Sequence, residues 1–125
     1  MKGRARKALG KKAKKGFAGY PVATVAFYGP NDRKATKLVV SIVAFENAEP
    51  EPMRKWFSDD DLQIDDHVLA EALDFIRSHT ARSVVMPDRI FGCPHEEGID
   101  YPEGEACPQC PFWKNRDRWT GDTAH

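Results

Sequence analysis

Four residues able to bind a metal fall within eighteen positions near the end of the chain: Cys93, His95, Cys107 and Cys110. They form two close pairs, Cys-x-His and Cys-x-x-Cys, separated by eleven residues that include Gly98, Pro102 and Gly104. Two short-spaced pairs on a turn-rich loop can fold back to present the four tetrahedral nitrogen and sulfur ligands that Zn²⁺ favours. Pro94, Pro108 and Pro111 stiffen each turn around such an ion. Four protein ligands leave no open coordination position, so the spacing predicts one structural Zn²⁺ rather than a catalytic one.

Two catalytic uses of the same residues are less well supported. The order His95-x-Glu97 followed by Cys107-x-x-Cys110 is similar to the zinc deaminase signature, in which a glutamate moves protons and the metal activates water. Here Ala106 stands where that signature has proline. The eleven-residue gap is also too short for the helix and strand of that fold, and Cys93 takes the place that water needs. Thiol redox chemistry at Cys107-Pro-Gln-Cys110 would need a stabilised thiolate. Glu103 and Glu105 precede the pair and disfavour one. A small polar site at Asp88, Arg89, His95 and Glu97 is a third enzymatic arrangement, with no substrate named by its spacing. His67, His79 and His125 belong to no ligand spacing.

The segment Gly92-Cys-Pro-His-Glu-Glu-Gly-Ile-Asp-Tyr-Pro, with Cys-Pro-Gln-Cys-Pro-Phe-Trp113, resembles small bacterial zinc-knuckle proteins of unassigned function. The resemblance covers residues 92–113 and implies a metal site and no activity.

The chain of 125 residues is long enough for one modest core. Its longest apolar runs fall well short of the roughly 20 residues that span a bilayer, so no membrane association is expected. No apolar stretch follows the basic start, and no secretory leader is expected. Three cysteines in one cluster argue against a disulfide framework and for a reducing compartment, read here as the cytoplasm.

A formal net charge of zero conceals a strong asymmetry. Residues 1–16 carry eight bases and no acid: Lys2, Arg4, Arg6, Lys7, Lys11, Lys12, Lys14 and Lys15. The remainder holds eleven bases against nineteen acids. With few apolar residues and Gly3, Gly10 and Gly16, the arm is expected to be disordered when free. Such an arm can contact a polyanion or lie against its own acidic body.

The elements that must position the metal segment follow from local pattern. Tyr20–Tyr28 and Thr36–Phe45 are rich in β-branched and aromatic residues and read as two strands of a hairpin, joined by the turn at Gly29-Pro-Asn-Asp. Asn47–Pro52 reads as an irregular linker. Ser58 with Asp59–Asp61 marks a helix start, and Leu62, Leu69, Leu73 and Ile76 share one face of a helix running to about His79. Ser83–Met86 reads as a third, buried strand. The expectation is an α+β fold: hairpin, helix, third strand and zinc-knuckle loop, in one domain over 17–113, with a polar tail over 114–125.

Lys114, Arg116 and Arg118 of that tail lie between Phe112-Trp113 and Trp119, an interleaving of cations and aromatics as in segments that stack on bases and pair with phosphates. Together with the basic arm they favour a non-enzymatic zinc protein that associates with nucleic acid, RNA or DNA. The alternative is a zinc-containing adaptor that binds a protein through Asp59–Asp66 or the Trp-rich end.

Overall fold

The computed structural model describes residues 3–87, 89–96, 98–105 and 107–113. Strands β1 (Val22–Tyr28), β2 (Lys37–Val43), β3 (Pro50–Phe57) and β4 (Ser83–Val85) form one sheet in the order β3-β2-β1-β4. β1 pairs antiparallel with β2, and β2 with β3, whereas β4 runs parallel to β1. A parallel neighbour requires a crossover, and α2 (Asp66–Ser78) lies within that connection. The architecture is α+β, as expected from the sequence.

Strand alternation sorts the side chains into two faces. Ala23, Val25 and Phe27 of β1 and Leu38, Val40 and Ile42 of β2 are buried beneath the helices. Leu69, Ala72, Leu73 and Ile76 of α2 join them, one helical face meeting one sheet face. The other face carries Tyr28, Lys37, Val39, Met53, Lys55 and Phe57, and it is the side on which the metal segment sits.

Three expectations are corrected. First, the arm is not a disordered coil: Arg4–Lys14 form helix α1. Ala5 and Leu9, one turn apart, are buried in the core, with Ala8 and Ala13 packed at its edge. The Asp66 carboxylate accepts the Ala5 N–H at 3.1 Å, satisfying a free donor at the positive end of the helix. A stripe of small residues and a single leucine is too sparse to register as a core face in the sequence, yet it suffices once α2 lies beside it.

Second, the sheet has four strands rather than three, because Pro50–Phe57 is a strand and not only a linker. Proline is excluded from central strands for want of an N–H, but an edge strand can point that position away from the ladder. Third, α2 begins at Asp66, not near Ser58. Asp61 caps a short 3₁₀ turn over Leu62–Ile64, and Asp65 caps α2 by accepting the Val68 N–H at 3.2 Å. The run of acids therefore starts two short elements in succession instead of one long one.

Candidate metal centre

The metal segment hangs from the end of β1. The Phe91 N–H donates to the Phe27 carbonyl at 2.7 Å, and Gly29 N–H to the Gly92 carbonyl at 2.8 Å. At the far end, Trp113 Nε1 donates to the Gly29 carbonyl at 2.7 Å. Gly29 must be glycine, since a Cβ there would overlap the Lys34 carbonyl. Inside the segment, Gly98 and Gly104 take left-handed conformations (φ 83° and 86°) that reverse the chain between the two ligand pairs. Tyr101 is buried against the cysteines and fills the space below them.

These turns bring all four expected ligands together. The ligand atoms of Cys93, His95, Cys107 and Cys110 lie within 4.8 Å of one another. His95 Nδ1 is 3.3 Å from Cys93 Sγ, 3.4 Å from Cys107 Sγ and 3.5 Å from Cys110 Sγ. Metal–sulfur bonds of about 2.3 Å and metal–nitrogen bonds of about 2.0 Å at tetrahedral angles give S···N edges of about 3.5 Å. The observed edges therefore fit a single ion at the centre. The His95 N–H also donates to Cys93 Sγ at 3.3 Å, the outer-sphere bond that steadies a thiolate ligand. The three cysteines are buried and His95 is half-buried.

Burial also sets the thiol chemistry of the metal-free site. It raises the Cys93 pKa above the ordinary thiol value despite the His95 backbone bond, which lowers it. Burial likewise raises the Cys110 pKa strongly, and the neighbouring Cys93 and Cys107 sulfurs add to the effect. An unliganded thiol here holds its proton, so only a cation with high thiolate affinity displaces it.

Two lysines fasten the segment to the sheet. Lys37 is buried; its Nζ donates to the Pro94 carbonyl at 3.1 Å and lies 5.7 Å from the ring centres of Tyr28 and Phe57. Lys55 Nζ bonds the Glu96 carboxylate at 3.1 Å, and Lys37 Nζ is 3.7 Å from the same oxygen. The Lys55 bond and the two ammonium charges hold the Glu96 pKa below the usual carboxylate range. Sequence reasoning missed Lys37, Glu96 and Tyr101. A lysine on the open side of a strand gives no signal until a loop is known to cover it.

The remaining candidate residues are dispersed. Arg4, Arg6, Lys7, Lys11, Lys14 and Lys15 are exposed on or beside α1, and Lys12 is half-buried. Lys2, Lys114, Arg116 and Arg118 lie outside the described residues, as do Asp88 and Glu97 of the alternative polar site. His67 is exposed and pairs with Glu71 at 3.2 Å, and His79 stacks edge-on against Phe75. Among the described residues no helix is long and apolar enough to cross a membrane. Comparison with known proteins found no matching family model, no similar curated protein and no similar solved structure.

Proposed function

We propose that this is a non-enzymatic zinc protein that associates with nucleic acid, RNA foremost, through α1. Zn²⁺ suits the donor set best: three thiolates and an imidazole in a closed tetrahedron are a structural zinc environment. The ion's role is to hold the segment from Gly92 to Trp113 in shape on the sheet.

The observation that carries the nucleic-acid reading is the division of α1 into two faces. Ala5 and Leu9 are spent on the core, while Arg4, Lys7, Lys11 and Lys14 recur every three to four residues along the opposite side. No base of α1 is paired with a carboxylate among the described residues, although the acid-rich α2 packs beside it. A row of unpaired cations on a fixed helix suits the regular negative charge of a phosphate backbone. A membrane surface is a poorer match, because an interfacial helix needs an apolar face to insert and this one has buried its own.

The test is a salt titration of binding to RNA and to duplex DNA, using the intact chain and a Lys7→Glu, Lys11→Glu, Lys14→Glu triple variant. All three positions are exposed, so the fold is retained. The expected result is sharply weakened binding and a shallower salt slope, by roughly 0.7–0.9 for each phosphate no longer neutralised. Unchanged affinity, or no nucleic-acid binding by the intact chain, overturns the reading.

A further inference from the structure

The metal segment does not lie flat on the sheet. Between them is a cleft of about 650 Å³, bounded by Lys37, Lys55 and Phe57 on one side and Pro94, His95 and Glu96 on the other. A smaller extension of about 270 Å³ continues over Val39 and Met53 to Tyr28. The cleft exists only because the ligand-bearing loop is folded over the sheet. The helices cover the opposite face, so this surface is separate from α1.

Three features indicate what enters it. The Phe57 ring stands at the rim and is 69% exposed, whereas the adjacent Trp56 points to the core and is only 9% exposed. An exposed ring at the edge of an open sheet face offers a flat stacking surface for a base. The ammonium groups of Lys37 and Lys55 converge on one oxygen of Glu96. That carboxylate is half-exposed on a loop, and it occupies the position a phosphate oxygen would take. His95 turns Nδ1 toward the sulfurs, and Nε2 has no hydrogen-bond partner among the described residues. With the metal on Nδ1 the proton resides on Nε2, which makes it a further donor beside the cleft.

Charge sets the size of the ligand. Asp59 and Asp100 also border the cleft, so two lysines meet three carboxylates. A polyphosphate would be repelled, whereas one nucleotide unit brings a single negative charge for Lys37 and Lys55 and a neutral base for Phe57. We propose that the cleft holds one nucleotide of a single-stranded nucleic acid, its base on Phe57 and its phosphate between Lys37 and Lys55 in place of the Glu96 carboxylate. The proposal rests on the nucleic-acid reading and gives it a second, metal-dependent surface that distinguishes single strands from duplexes.

The experiment titrates a labelled single-stranded RNA of about eight nucleotides into the zinc-loaded full chain, a length within the usual site size of such surfaces. Phe57→Ala and Lys55→Ala are each expected to weaken binding by about fivefold or more, the usual effect of removing one stacking ring or one phosphate-binding cation. Glu96→Gln is expected to tighten it, an effect that a merely structural Glu96 would not produce. ATP at matched concentration should not compete. If the intact chain binds RNA while all three variants stay within about twofold of it, this proposal fails and binding through α1 stands. If the intact chain binds no RNA, both readings fail.

Discussion

Lys37 Nζ lies 3.1 Å from the carbonyl oxygen of Pro94, 57 residues further along the chain, and its side chain is almost wholly shielded. The contact joins the first residue of β2, an inner strand, to the residue between Cys93 and His95. Replacing Lys37 with methionine keeps most of the stem but leaves the Pro94 carbonyl without its donor. Such a change costs about 1–3 kcal/mol. The variant should melt several degrees lower and lose zinc to a competing chelator faster than the native chain, by thermal denaturation and a colorimetric chelator assay.

Metal content should depend on all four ligands together. Cys93→Ser, His95→Ala, Cys107→Ser and Cys110→Ser are each expected to reduce bound zinc well below one equivalent, read by elemental analysis. Chelation of the native protein should lower its Tm, because the binding energy of a structural ion contributes directly to folding. X-ray absorption should report three sulfurs and one nitrogen with no water. A shell with an oxygen in place of Cys93 sulfur would argue for an open site.

Zinc loading should release protons. With Cys93 and Cys110 raised above the ordinary thiol pKa by burial, both are protonated at neutral pH in the metal-free state. Affinity for zinc should therefore rise with pH, and calorimetry in buffers of different ionisation enthalpy should show about two protons or more expelled per ion. Stability follows the same sign. In the metal-free chain these raised pKa values favour the fold below the unfolded thiol pKa of about 8.5. That contribution is lost as pH rises beyond it, whereas the zinc-loaded chain, already deprotonated, should not weaken in the same window.

Leu9→Ala tests whether α1 belongs to the folded body. Leu9 is 1% exposed and sits among core residues, so its truncation should cost about 2–5 kcal/mol. Urea unfolding monitored by circular dichroism measures the destabilisation. An arm that stands free of the core would show no change.

Different parts of this molecule were legible for different physical reasons. Cys93, His95, Cys107 and Cys110 could be read from spacing because a chelate loop is local, and the ligands needed no distant partner to be recognised. β1 and β2 announced themselves through β-branched residues that alternate across the sheet. α1 did not, since its hold on the core reduces to Ala5, Leu9 and the bond from the Ala5 N–H to Asp66, a residue 61 positions away. β3 was masked by Pro50 and Pro52, whose exclusion from strands lapses at an edge. Trp56 and Phe57 look alike in sequence as a pair of core aromatics. Their adjacency on one strand sends them to opposite faces, which only the register with β2 reveals.

Gly29 receives both ends of the metal segment, accepting from Trp113 through its carbonyl and donating its own N–H to Gly92. The segment is thus a loop whose two ends close on Gly29, the residue after β1, while Lys37 and Lys55 hold its first turn to the sheet. A loop held by these few polar contacts can open as a unit while the four strands stay paired, a local fluctuation with its own free energy. The amide hydrogen of Gly29 becomes a reporter for that motion. Its exchange with solvent should be far slower with zinc bound than without it, while the amides of the β1–β2 ladder keep nearly the same rates in both states.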